Sequence, residues 1–220
     1  MKTTPKLWEA TYEARTDDEL MCAYGNWADL YDRDTCNVMG YVGPSKAADQ
    51  LDRHLQTRNC RVLDAGCGTG LVGEALCGLG YSQLDAMDLS KDMLKEADKK
   101  GLYQHLITQD MNQQLNIPDN TYDATICVGT FTYAHVGPHV FEELVRVTRP
   151  GGYISFTVRD GAFQKYGYRD KMLKMEADNQ WSLKELKDDD YLVKEEVSAK
   201  FFTYQVKEGC AATSIIKRGE

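Results

Sequence analysis

Arg61-Val62-Leu63-Asp64-Ala65-Gly66-Cys67-Gly68-Thr69-Gly70 runs a strand-like apolar pattern into three glycines at alternate positions, and Leu71, Val72, Ala75, Leu76 and Leu79 then follow at helical spacing. Glycines in such a turn let the backbone close against a ligand at the helix N-terminus, and some of these positions are expected at positive φ. Eighteen residues after Gly70 the next apolar run ends at Asp88, a carboxylate placed to accept both hydroxyls of a ribose. Together they describe a nucleoside-binding crevice. Gly68-Thr69-Gly70-Leu71-Val72-Gly73 also satisfies the GxGxxG pattern, so a nicotinamide-dinucleotide oxidoreductase is a competing reading. Asp64 weighs against it: an acid ahead of the glycines repels a pyrophosphate and attracts a sulfonium or ammonium.

These residues need a sheet to hold them. Val62-Leu63, Leu84 to Met87, Leu106-Ile107, Ala124 to Val128 and Ile154 to Val158 read as five buried strands separated by helical patterns, which implies a parallel sheet. Leu20, Met21, Tyr24, Trp27, Ala28 and Tyr31 share one helical face, and Gly43-Pro44 opens a second helix carrying Ala47, Ala48, Leu51 and Leu55. Ser90 caps a helix over 91–100 that Gly101 closes, and Pro138 opens one that ends at Arg149-Pro150-Gly151-Gly152. Two alternating runs, 201–206 and 211–216, predict an antiparallel hairpin. The expected architecture is one α/β domain with a doubly wound, mostly parallel sheet: N-terminal lid helices over 1–56, a cofactor-binding core over 60–159, a substrate-lid insertion over 160–200 and a terminal hairpin over 201–216.

The chain has 220 residues, 42% of them hydrophobic and 10% aromatic, too apolar for a disordered chain and without a run long enough to span a bilayer. Its 34 acidic against 26 basic side chains give a net charge of -8, which disfavours nucleic acid as a partner. The N-terminus has no signal-peptide core, and seven cysteines without a CxxC pair suit reduced thiols, so a cytoplasmic protein is expected. His135 and His139 are four apart, but Gly137-Pro138 prevents a continuous helix between them, so no metal site is expected. Asp188-Asp189-Asp190 reads as a solvated loop.

The chain resembles the class I methyltransferases that use S-adenosylmethionine. Val62 to Gly70, Asp88, Asp110-Met111, Tyr122 to Gly129 and Arg146 to Gly152 look like that family's successive motifs. Trp27-Ala28-Asp29-Leu30-Tyr31-Asp32 and Asp88-Leu89-Ser90-Lys91-Asp92-Met93-Leu94 resemble the Williams-Beuren-region methyltransferase-like proteins. The resemblance implies a Rossmann-like seven-stranded fold, S-adenosyl-L-methionine as cofactor and S-adenosyl-L-homocysteine as product. It places the methionine moiety against Gly66, Cys67, Gly68 and Gly70 with Asp64 behind the loop, and the ribose on Asp88. Adenine falls to Asp110, Met111 and Leu89, and Gly129 leaves room beside the methionine. Tyr24 and Trp27 are read either as core or as part of a helix folded over the cofactor.

Methyl transfer from a sulfonium needs alignment and exclusion of water more than acid-base machinery. The acceptor is expected past the end of the fourth strand, at Gly129-Thr130-Phe131-Thr132-Tyr133-Ala134-His135. There Phe131 and Tyr133 either shield the sulfonium or close the core, and His135 is the candidate general base. Arg159 and Asp160 form another edge of the pocket or a surface ion pair, and Tyr166, Tyr168 and Trp181 belong to the expected acceptor lid. The expected partner is a small-molecule methyl acceptor. A non-catalytic binding module is the alternative, and amide or exocyclic-amine acceptors on protein or RNA lose support because Val128-Gly129-Thr130-Phe131 stands where those enzymes carry Asn-Pro-Pro-Tyr.

Overall fold

The structure, a computed structural model, describes residues 7–132 and 136–208. A short helix α1 (Glu9–Glu13) leads into α2 (Asp17–Asp32), whose first turn is capped by Thr16 Oγ1 accepting from Glu19 N at 3.2 Å and carries Asp17, Asp18 and Glu19 where the helix dipole favours acids. Helix α2 runs on as a seven-residue π-helical segment, Arg33–Met39, closed by Gly40 at φ +70. Thr35 Oγ1 donates to the Tyr31 carbonyl at 2.7 Å and so competes with the regular ladder at that point. Helix α3 (Gly43–Asp52) has Pro44 in its first turn, where a missing N–H costs nothing.

The alternation that follows is β1 (Arg61–Ala65), α4 (Leu71–Gly78), β2 (Gln83–Asp88), α5 (Lys91–Lys99), β3 (His105–Thr108), β4 (Tyr122–Phe131), α6 (Val140–Val147) and β5 (Thr148–Arg159). Ser90 Oγ caps α5 by accepting from Met93 N at 3.3 Å. Helices α7 (Asp160–Lys165) and α8 (Tyr168–Ala177) precede β6 (Trp181–Leu192) and β7 (Val197–Val206). The strands form one sheet in the order β3-β2-β1-β4-β5-β7-β6, with β7 antiparallel to both neighbours. Strand order reverses at the β1/β4 boundary, and a doubly wound sheet opens its ligand crevice beyond the carboxyl ends of the strands at such a point. At the opposite end of these strands, buried Asp85 accepts from Arg61 Nη2 at 2.7 Å and Tyr122 Oη at 3.0 Å and meets His105 Nδ1 at 2.8 Å, tying β1 to β4 together at their starts.

Two apolar layers enclose the sheet. One gathers Phe131, Phe141, Phe156, Tyr168, Trp181 and Tyr204, with Trp181 and Tyr204 rings stacked 4.1 Å apart. The other packs α2, α3 and α4 over Val62, Leu84 and Ile126. Among the described residues no helix is long and apolar enough to cross a membrane, and the six described cysteines are free thiols.

The five parallel strands lie where the sequence predicts them, but the antiparallel hairpin differs in composition. The strand over 201–206 pairs with Trp181–Leu192, which the sequence reads as part of the lid insertion, and 211–216 falls outside the described residues. Strand β6 is the sheet edge, so most of its residues between Ser182 and Asp190 are polar and no period-two signal survives. Asp188, Asp189 and Asp190 therefore stand on a strand, where Lys46, Lys187 and Lys200 neutralise them, and no metal-binding group of acids and histidines occurs among the described residues. The stretch 149–152, expected to end a helix, is instead the irregular start of β5.

Candidate functional site

The cleft at the β1/β4 switch point is lined by Gly66 and Gly68 from the loop after β1, Asp88 and Leu89 after β2, Asp110 and Met111 after β3, and Val128, Gly129 and Thr130 from β4. Asp17, Leu20, Met21, Tyr24 and Tyr31 on one face of α2 cover it. Asp88 is held from two sides: one carboxylate oxygen accepts from Gly68 N at 2.8 Å and the other from Ser90 N at 2.8 Å. A carboxylate has about four acceptor positions, so each oxygen keeps capacity toward the cleft. Burial raises the Asp88 pKa, and the Ser90, Gly68 and Leu89 amides oppose that rise. Gly68, at φ +54, would aim a Cβ into space free of atoms, so its bare backbone is itself a wall of the cleft.

Asp64 lies behind this loop. It is fully buried, accepts from Tyr103 Oη at 2.6 Å through one oxygen, and leaves the other, Oδ1, without a partner. Desolvation by burial pushes its pKa up to about 7. Cys67, buried among Ala86, Leu94 and Ala97, faces the core rather than the cleft, which suits a small hydrophobe, and Gly70 backs onto the Tyr103 ring. Asp110 both forms a turn, accepting from Asn112 N at 2.8 Å, and lines the cleft.

A second cavity adjoins the first and shares Tyr24, Tyr31, Gly129 and Thr132 with it. Its other walls include Tyr12, Trp27, Tyr41, Tyr191 and Arg159. Trp27 thus sits beside the second cavity rather than in the nucleoside cleft, its Nε1 donating to buried Asp34 at 3.0 Å. The Tyr41 and Tyr191 hydroxyls are 2.9 Å apart, and a Cβ on Gly129 would come within 2.9 Å of the first and 3.1 Å of the second. Gly129, at φ +84, is therefore required both by its backbone and by the narrow junction of the cavities.

Residues 63–156 match the protein family described as a methyltransferase domain. Residues 63–156 are therefore a methyltransferase domain. Human methyltransferase-like protein 27 is 37% identical over 139 residues, 62% of this chain and 56% of the human protein. The malonyl-[acyl-carrier protein] O-methyltransferase of Serratia marcescens is 34% identical over 108 residues, 49% of this chain and 42% of the bacterial one. The chain thus spans about half the length of the curated relatives it matches. Among solved structures, a methyltransferase bound to the Trm112 activator in Haloferax volcanii superimposes with a TM-score of 0.63 at 19% identity, covering 84% of this chain and 97% of that one. An S-adenosylmethionine-dependent methyltransferase of Aquifex aeolicus gives 0.61 at 19% identity, covering 83% and 98%. Both share the fold.

S-adenosylmethionine is the cofactor of this domain, and the methyltransferase cleft fits it. Asp88 offers free acceptor capacity for a diol, Gly68 leaves open space against the loop, and the unpartnered Asp64 Oδ1 gives the loop a buried negative charge that a bound ammonium or sulfonium compensates. The sign of the pH dependence follows. Because the folded-state pKa of Asp64 is raised, the cofactor-free protein loses stability as pH climbs from the ordinary aspartate range to about 7, and the loss is complete above that. A cationic ligand favours the ionised form. Affinity for S-adenosylhomocysteine, whose amino group stays protonated there, is expected to rise as pH climbs toward about 7, to level off above it and to lose that dependence in Asp64→Asn, as read by calorimetric titration.

Of the other residues named from sequence, Phe131 is fully buried against Phe141, Phe156 and Tyr168 and lines neither cavity, while Tyr133 and His135 lie outside the described residues. Tyr168 and Trp181 are core residues rather than lid, and Tyr166 packs beside them. Asp160 pairs with Lys200 at 3.3 Å, whereas Arg159 faces the second cavity. Sequence reasoning missed Tyr31, Tyr41, Tyr191 and Asp32. Tyr31 lies two turns beyond Tyr24 on the same face, which was a readable signal; Tyr41 and Tyr191 are 150 residues apart and meet only through the fold. Asp32 fastens the cap to the glycine loop by accepting from Thr69 Oγ1 and, at 2.7 Å, from Lys100 Nζ. Asp32→Ala is expected to cost about 1–2 kcal/mol in chemical denaturation and to loosen cofactor binding several-fold by freeing α2.

Proposed function

We propose that this chain catalyses S-adenosylmethionine-dependent methyl transfer to a small-molecule acceptor in the cytosol. The observation that carries the reading is the union of an acid-lined nucleoside cleft with a second, aromatic cavity across Gly129. In this reading Asp88 takes the ribose hydroxyls and Asp110, Met111 and Leu89 hold the adenine. The backbone at Gly66 and Gly68 cradles the methionine moiety, and Tyr24 with α2 closes over it. Bound there, the cofactor supplies an electrophilic methyl group on a positively charged sulfur. The chain's part is to orient it toward the second cavity and exclude water, as Leu20, Met21, Tyr24 and Tyr31 do from above.

The walls that the two cavities share, Tyr24, Tyr31, Gly129 and Thr132, favour catalysis over a purely binding role, and the small acceptor space favours a metabolite over a macromolecule. The Serratia relative, named for O-methyl transfer, supports an oxygen acceptor. Free thiols at the six described cysteines suit a reducing compartment. Incubation of purified protein with isotopically methyl-labelled S-adenosylmethionine and a small-metabolite extract is expected to yield a labelled product one methylene heavier than its precursor. Label appearing only in protein or RNA fractions overturns the small-molecule reading.

A further inference from the structure

Resting on the reading of the second cavity as the acceptor's place, we propose that the paired hydroxyls of Tyr41 and Tyr191 position the methyl acceptor. Their one spare O–H holds an oxygen of a planar substrate beside Gly129, the residue that borders both cavities.

Proton accounting within the pair leads there. The two hydroxyls are 2.9 Å apart and each carries one proton. Their mutual bond uses one of the two, whichever oxygen donates, so one O–H is left over. Burial pushes the Tyr191 phenol up to about 12 and the Tyr41 phenol well above its ordinary value, so both protons stay in place throughout the neutral range. Both oxygens face Gly129, since a Cβ there would come within 2.9 Å of the first and 3.1 Å of the second. Once water is excluded, an O–H without an acceptor is costly, and more so than an unfilled lone pair. A substrate oxygen seated beside Gly129 relieves that cost.

The pair is held in place by its surroundings. Tyr41 follows the π-helical segment, and Tyr191 lies near the end of β6. Two backbone bonds lock these stretches together, Val42 N donating to the Tyr191 carbonyl at 3.1 Å and Val193 N to the Gly40 carbonyl at 3.0 Å. Gly43 makes way for both rings, because a Cβ there would stand 2.6 Å from Tyr191 Cε2 and 2.7 Å from Tyr41 Cε2. A side chain at either Gly43 or Gly129 would displace the pair, so two glycines from different segments serve one pair of hydroxyls.

The rest of the substrate meets aromatic faces. Tyr41 and Tyr191 rings meet edge to face at 4.9 Å, and Trp27 and Tyr31 rings lie 4.6 Å apart on the same cavity. Trp27 is anchored by its bond to Asp34. Fixed aromatic walls suit a planar, unsaturated body. The substrate class is thus a planar ring bearing a carbonyl, hydroxyl or carboxylate oxygen that accepts the spare O–H. Tyr41 and Tyr191 act by orienting that oxygen, and the bond-making step is left to the cofactor and the acceptor.

The test compares acetophenone with α-methylstyrene, two molecules of one shape that differ in carrying a carbonyl oxygen or a methylene group. Their binding is followed by ligand-detected NMR titration, with and without S-adenosylhomocysteine. Acetophenone is expected to bind about three- to tenfold more tightly, the worth of one hydrogen bond. Tyr41→Phe and Tyr191→Phe are each expected to keep part of that preference, because one O–H remains, and the double variant to lose it. Affinity for α-methylstyrene is expected to hold in all three, which a merely structural role for the hydroxyls would not predict alongside the lost preference. Equal binding of the two probes by the parent, binding of neither, or a preference that survives in the double variant overturns the proposal. Should the double variant lose α-methylstyrene as well, the single variants decide, and an undiminished preference in both overturns it. A labelled small-molecule product formed by a protein that does not prefer acetophenone removes this proposal and leaves the methyl-transfer reading standing. A clear preference without any such product does the reverse.

Discussion

Asp88→Ala is expected to weaken S-adenosylhomocysteine binding by about 30- to 1,000-fold, or about 2–4 kcal/mol, the loss of two hydrogen bonds to a charged acceptor. The same carboxylate orients the loop, since it accepts from Gly68 N and Ser90 N, so its removal also relaxes the backbone that faces the methionine moiety. The fold is expected to survive. Burial already raises the Asp88 pKa, so the carboxylate is an electrostatic burden in the cofactor-free protein, and the amides it releases border a cleft that water can enter. Thermal unfolding of Asp88→Ala without ligand should therefore match the parent closely, while the ligand-induced rise in melting temperature disappears. Asp88→Asn, which retains one acceptor oxygen, should fall between them.

Gly129→Ala is expected to separate binding from turnover. At φ +84 an alanine costs about 1–3 kcal/mol of stability, visible in denaturant unfolding. Its Cβ would also press within 2.9 Å of Tyr41 Oη and 3.1 Å of Tyr191 Oη, narrowing the passage between the two cavities. Methyl transfer into a metabolite extract should fall by about 100-fold or more, as misplacement on the ångström scale does in other enzymes. S-adenosylhomocysteine affinity should change far less, because the residues proposed for adenine and ribose lie elsewhere in the cleft. Equal transfer by Gly129→Ala and the parent would remove Gly129 from the methyl path.

The cleft proposed for the cofactor was legible in the sequence because its lining is local. Gly66, Gly68, Asp88, Leu89, Asp110 and Met111 sit at or just beyond the ends of three successive parallel strands, and buried strands leave continuous apolar runs that mark those ends. Helical periodicity put Tyr24 on the apolar face of α2, and the family resemblance offered a fold of that helix over the cofactor as the alternative to core packing. The acceptor half was not legible, because its walls come from α1, α2, the π-helical segment, β4, β5 and β6, and no short-range pattern joins them. Edge strand β6 hid for a related reason. Its exposed face carries Lys184, Asp188 and Asp190, so the charge that protects an open edge erased the alternation and made the stretch resemble a loop. Phe131 shows the limit of reading by position. It lies in the acceptor stretch at the end of β4, yet it points into the aromatic core, because successive residues of a strand face opposite sides of the sheet.

Calorimetric titration of the purified protein with S-adenosylhomocysteine, run beside NADH, tests most directly whether the crevice is built for an adenosyl cation rather than a dinucleotide. Saturable binding of S-adenosylhomocysteine that Asp88→Ala weakens by at least about 30-fold and that strengthens as pH climbs toward about 7, with no binding of NADH, is the predicted result. Absence of heat with S-adenosylhomocysteine at millimolar concentration, or tighter binding of NADH, would contradict it.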